Sequence, residues 1–288
     1  MFEPFLGVEA IRAGRLTRGQ LRSRFKAVHP GVYVPGQAAR TLLLNTVAAW
    51  LWTGRRGVIG GRAAAALHGA RWIDDATPIE LIAPHTRKRP GVIVHEEQIK
   101  PDEICYVGGL PVSSPERTAL NLARWLPRDA AVTHLDSLAR ATGITEASVL
   151  ELAAQYPGAR GIRRAQVALN LMDAGGQSPK ETWLRLLVID AGYERPQTQL
   201  PVTDGSTTAF INLGWEEPKI GLDYEGEHHR SERRTYVNDI GRYAMIDGRG
   251  WTDLRVVAEH SRAFILHRLR EAFVQRGLQP PPTSAPGS

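Results

Sequence analysis

Cysteine is almost absent: Cys105 is the only one in 288 residues. That excludes a disulfide framework and a cysteine-based zinc cluster. No apolar run approaches the roughly 18 residues that a membrane-spanning helix needs. The N-terminus lacks the apolar core of a signal peptide. The expectation is a cytoplasmic protein with no membrane contact. Acid is scarce at the N-terminus. Residues 1–40 hold seven basic residues (Arg12, Arg15, Arg18, Arg22, Arg24, Lys26, Arg40) against Glu3 and Glu9, which gives five of the six surplus positive charges of the chain. Such an imbalance points to a polyanion, and DNA is the expected partner. A solvated charged face is the blander alternative.

What is present divides into regions. Residues 1–40 read as a basic, winged-helix-like module. "LTRGQLRSRF" opens with Thr17 and Gln20 at capping-box spacing. "AVHPGVYVPG" reads as a hairpin around Pro30 and Gly31. A basic helix followed by a hairpin suits a reduced winged helix with its helix in a DNA groove; a small capping subdomain is the alternative. Arg18, Arg22 and Lys26 recur every four residues and share a face as far as the helix extends.

Residues 41–175 form a mixed α/β region. "LLLNTVAAWLW" and "GGRAAAALHG" are helix patterns, and "PIELIAP" and "GVIVHE" are short strands. Ser114 and Pro115 start a further helix as cap and first residue. Amphipathic helices are expected around 129–141, 145–155 and 160–173. No catalytic spacing stands out, and His68 is expected to pack beside small residues rather than to act as a ligand. "GRAAAALHGA" followed by "GLPVSSPERTALNLAR" resembles the AbiEi family of type IV antitoxins. The resemblance covers about residues 15–140. It implies an antitoxin-like regulator that represses its own promoter, with a cognate toxin or another protein as partner. Asn121 stands where that family commonly carries an aspartate.

After "DAGGQSPKE", residues 176–277 form a third region. Ser178, Pro179 and Glu181 read as cap, first-turn proline and capping glutamate of a helix. Asp204-Gly205 separates two strand patterns as a hairpin turn. In "KIGLDYEG", alternation puts Asp223 and Glu225 on one face, about 7 Å apart. If the preceding strand pairs with this one, Asn212 approaches the same face. Oxygen donors converging from neighbouring strands suit Mg²⁺, which can activate water at a phosphodiester. Residues 278–288, rich in Pro and Ser, are expected to be a disordered tail.

"SPKE", "FINLGWEEPKIGLDYEGEHH", "DIGR" and "GWTDLRVV" together resemble the restriction-endonuclease-like, PD-(D/E)xK superfamily, in the branch related to very-short-patch repair endonucleases. The resemblance covers residues 178–257 and implies a mixed sheet flanked by helices. It implies that Glu181 holds a water or supports the metal, and that Asn212, Asp223 and Glu225 are metal ligands. His228 or His229 becomes an acid–base group or phosphate contact. Asp239 and Arg242 orient the site, and Arg255 faces a phosphate. Arg230, Arg233 and Arg234 suit the DNA backbone. The branch places an aspartate where Asn212 stands. An amide oxygen can ligate a cation, but it brings no charge and cannot act as a base. The whole chain is thus expected to be α/β, of the α+β kind. Two functions follow: a DNA-binding, antitoxin-like regulator with a nuclease-like domain and at most weak activity, or an active endonuclease with Mg²⁺ or Mn²⁺ as cofactor. Asn212 favours the first.

Overall fold

The computed structural model describes residues 3–84, 88–226 and 233–282, with the main chain alone over 233–240. The chain forms two compact units, Met1–Met172 and Asp173–Ser288. The class is α+β. Among the described residues no helix is long and apolar enough to cross a membrane.

The first unit begins with β1 (Phe5–Leu6), α1 (Gly7–Arg12), α2 (Arg18–Arg24), β2 (Phe25–His29) and β3 (Val32–Pro35). The strands form an antiparallel sheet in the order β1-β3-β2. Both halves of the capping box at α2 are made: Gln20 N donates to Thr17 Oγ1 at 3.2 Å, and Thr17 N donates to Gln20 Oε1 at 2.8 Å. Only Leu21 of this helix is buried. Val28, Val32 and Val34 share a core with Leu44, Ala48 and Leu51 of α3 (Leu42–Trp52).

Next come β4 (Val58–Gly60), α4 (Gly61–Leu67), β5 (Ile79–Ile82), β6 (Val92–His95), β7 (Ile104–Val107) and β8 (Leu110–Ser113). These strands make a mixed sheet in the order β6-β5-β4-β8-β7. Gly61 sits at φ +54, where a Cβ would run into the Glu80 carboxylate. That carboxylate accepts from Arg62 N at 2.9 Å, so the tight entry to α4 needs glycine. Four helices complete the unit: α5 (Pro115–Trp125), α6 (Arg128–Thr142), α7 (Glu146–Ala154) and α8 (Ile162–Asn170). Ser114 caps α5 through Arg117 N at 3.2 Å. From Arg117 to Arg124 every residue of α5 is buried, because α4, α6, α7 and α8 all pack against it.

The second unit holds α9 (Pro179–Asp190), β9 (Gln197–Thr203), β10 (Thr208–Trp215), β11 (Ile220–Tyr224), α10 (Arg233–Gly248), β12 (Thr252–Val256) and α11 (Arg262–Gln275). Its sheet runs β12-β11-β10-β9, with β11 and β12 parallel and joined through α10. The β9–β10 turn is fixed by Asp204 Oδ1, which accepts from Ser206 N and Thr207 N at 2.8 and 2.7 Å. The sheet carries two cores. Leu213, Leu222 and Leu254 pack with Leu184 and Val188 of α9 and Ile265 and Leu269 of α11. Leu200, Val202, Ala209 and Ile211 pack with Ile246 of α10 and Trp251.

Candidate functional site

Two places bear on the expected chemistry. The first is the basic surface of the N-terminal unit. Arg18 and Arg22 are exposed on α2, and Arg12, Arg15 and Arg24 are exposed beside them in the chain. Lys26 is exposed too, but it lies on β2, not on the helix. The helix stops at Arg24 because Phe25 adopts an extended conformation (φ −125, ψ 148) and pairs with Pro35. Strand pairing overrides the four-residue spacing there. Among the described residues, Arg18, Arg22 and Lys26 have no acidic partner.

The second place is the sheet of the C-terminal unit. β10 and β11 pair antiparallel from Trp215↔Ile220 to Leu213↔Leu222. The next pair in that register sets Asn212 opposite Asp223, and there side chains take over from the ladder. Asn212 N donates to Asp223 Oδ1 at 2.6 Å, and Tyr224 N donates to Asn212 Oδ1 at 3.0 Å. Asp223 is 2% exposed. Its other oxygen accepts from Arg242 Nη2 at 2.5 Å, and the same nitrogen reaches Phe210 O. Glu225 lies one residue beyond β11; its N bonds Val256 O at 2.8 Å, and Oε1 accepts from Tyr243 OH at 2.5 Å. Arg255 pairs in register with Asp223, and its guanidinium stacks 3.2 Å from the Tyr243 ring centroid. So Asn212, Asp223, Glu225, Arg242 and Arg255 do come together.

Glu181 is engaged at its own helix start. Ser178 Oγ accepts from Glu181 N at 3.2 Å and donates to Glu181 Oε1 at 3.1 Å, while Gln177 N donates to Glu181 Oε2 at 3.1 Å. His228, His229 and Arg230 lie outside the described residues, as do the side chains of Arg233, Arg234 and Asp239.

Asp253 was not singled out by sequence. Parallel register places it beside Gly221, two residues from Arg255, so it shares the face of Asp223. Both its carboxylate oxygens are buried and have no hydrogen-bond partner among the described residues. Burial above all, and then the charge of Asp223, push its pKa up to about 7, against the pull of Arg242 and Arg255. An acid inside a half-buried strand was the available signal. Tyr243 left none, since it is one aromatic on an ordinary helix.

As placed, Asn212 and Asp223 are engaged by the protein's own donors. Each oxygen of Asp223 already accepts a hydrogen bond, one of them from a guanidinium, and Asn212 Oδ1 holds a backbone amide. Among the described residues no group of three or more His, Cys, Asp or Glu could hold a metal ion.

A third cluster, also missed, lies within α5 of the first unit. Arg117, Asn121 and Arg124 fall on one side of that helix at i, i+4 and i+7. Arg117, 1% exposed on its side chain, reaches Glu103 at 2.5 Å, Glu97 at 3.2 Å and Asn121 Oδ1 at 3.1 Å. Arg124 grips Glu97 with both terminal nitrogens, at 2.8 and 2.9 Å. Tyr156 OH donates to Glu103. Burial first, and then Glu103, push the Tyr156 pKa up to about 12. These are polar residues of the "SPERTALNLAR" segment, and their work is to tie α5 to the chain around Glu97 and Glu103. His68 bonds Ser113 O at 2.8 Å and packs in this unit.

Comparison with known proteins finds a match within this unit. Residues 57–173 match the family described as AbiEi antitoxin C-terminal domain. The match stops where the second unit starts, and the nuclease resemblance of residues 178–257 has no counterpart in it. The chain is also similar to uncharacterized proteins of two Mycobacterium tuberculosis strains, 28% identical over 200 residues, covering 69% of this chain and 73% of each relative. No solved structure matches it significantly.

Proposed function

We propose that the protein is a DNA-binding regulator of the antitoxin type, with DNA and a cognate toxin as partners. The observation that carries this is the exposed Arg18 and Arg22 of α2 and Lys26 of β2, which no acid neutralises among the described residues. Its setting supports the reading: a strand, two short helices and a hairpin, with the second helix, α2, projecting its cations into solvent. The antitoxin-family match of residues 57–173 supplies the regulatory half of the reading. Fluorescence anisotropy with a duplex from the chain's own upstream region tests it. The variant Arg18→Ala, Arg22→Ala, Lys26→Ala is expected to bind more weakly. Its slope of log affinity against log salt should be shallower by about 2.7, roughly 0.9 for each phosphate that the variant no longer neutralises. An unchanged slope would place the DNA surface elsewhere.

A second reading is an endonuclease at Asn212, Asp223 and Glu225, using Mg²⁺ or Mn²⁺. What favours it is Asp253, a buried carboxylate on the same face without a hydrogen-bond partner among the described residues. It requires Arg242 to release Asp223. The expected result with supercoiled plasmid and Mn²⁺ is no nicking. Nicking that Asp223→Ala abolishes would put this reading first.

A further inference from the structure

The first unit contains a cavity of about 830 Å³ between the end of β6, α5 and the start of α8. Its volume lies in the range of small-molecule sites. Arg117, Arg124, Arg160 and Arg164 line it, with His95 and Trp125. Glu96 and Glu97 also line it, and Glu97 answers the two inner arginines. Burial raises the Glu97 pKa, but Arg124, Trp125 and Arg117 outweigh that and hold it below the usual carboxylate range. The two outer arginines have no such answer. Arg160 and Arg164 are exposed and make no ion pair among the described residues; one nitrogen of Arg164 donates to Arg124 O.

Of these outer cations, Arg164 lies in the first turn of α8, where the helix dipole disfavours positive charge. That turn has no acid, and Gly161 provides no side-chain cap. The cavity also holds an aromatic platform. His95 and Trp125 stack with centroids 3.4 Å apart and planes 3° from parallel. Burial, opposed by Glu97 and aided by Arg124, holds the His95 pKa at about 4, so the ring is neutral at physiological pH. Its Nε2 is buried without a partner among the described residues.

We infer that this cavity binds a nucleoside polyphosphate, with the phosphates on Arg160 and Arg164 and the base against the His95–Trp125 pair. Planar guanidinium forks suit phosphate oxygens, and a base stacks on aromatic rings whatever its identity. The site is separate from the α2 surface and does not depend on the DNA-binding reading.

Calorimetric titration of the full chain with ATP, GTP, CTP and UTP, and with adenosine, tests it. At least one triphosphate is expected to bind with one-to-one stoichiometry, and adenosine at least tenfold more weakly than ATP or not at all. Arg160→Glu is expected to weaken the bound triphosphate at least tenfold while the melting temperature and DNA affinity hold; Arg160→Gln makes the same test if charge reversal disturbs folding. Arg163→Glu, in the first turn of α8 but outside the cavity lining, should leave binding unchanged. No binding by any of the four triphosphates at millimolar concentration overturns the inference. So does equal weakening by the Arg160 and Arg163 changes, which would mean a diffuse basic surface.

Discussion

Replacing Arg117 by alanine is expected to cost the first unit about 3–5 kcal/mol, the usual effect of removing one partner from a buried ion pair. The reason is what stays behind. Glu103 is 3% exposed, and without Arg117 it keeps only the Tyr156 hydroxyl to answer its charge. Glu97 keeps Arg124, so its share of the loss is smaller. Asn121, fully buried, loses the donor to its Oδ1. An exposed pair provides the scale. Arg128 and Asp129 meet at 2.8 Å with side chains 33% and 65% exposed, and Arg128→Ala should change stability by no more than about 0.5 kcal/mol. Urea unfolding followed by circular dichroism measures both. A loss below about 1 kcal/mol for Arg117→Ala would show that the network does not hold α5 to the chain around Glu97 and Glu103.

The second large effect depends on pH. Asp253 has its folded pKa raised to about 7, by burial first and then by Asp223, with Glu225 adding and Arg242 and Arg255 opposing. In the unfolded chain an aspartate titrates near 3.9. The folded protein therefore holds this proton more tightly than the unfolded chain does. The stability it contributes is fully present below about pH 4 and is lost as pH rises through about 7. The difference amounts to on the order of 4 kcal/mol, since each pKa unit is about 1.4 kcal/mol. Asp253→Asn keeps the shape of the protonated acid and removes the titration. Its stability relative to the natural chain should rise between pH 4 and 7 and level off above 7. Thermal melts of the two proteins at pH 4.5 and 8 give the comparison. Equal differences at the two pH values would show that Asp253 is ionised in the folded protein throughout, with a counter-ion.

Three helix starts in this protein are legible because each depends on residues three apart. Thr17 with Gln20, Ser114 with Arg117 N and Ser178 with Glu181 close their bonds locally, whatever the rest of the chain does. The Asp204 turn is local in the same way. Alternation in "KIGLDYEG", and the hairpin with the strand before it, were enough to bring Asn212 to Asp223. A Gly108-Gly109 turn between β7 and β8 was equally available as a hairpin signal. The remaining features depend on distant segments. β4 has three residues, too few for any periodicity, yet it sits at the centre of a five-stranded sheet because β5 and β8 flank it. Lys26 has helical spacing from Arg22, but pairing with Val34 puts it on a strand. The partners of Arg117 lie 14 and 20 residues away, and the Arg242 that occupies Asp223 lies 19 residues away. Local sequence chose the elements and their faces. Which charge each buried charge meets was decided by tertiary packing, because desolvation penalises an unpaired ion only once the chain has closed around it.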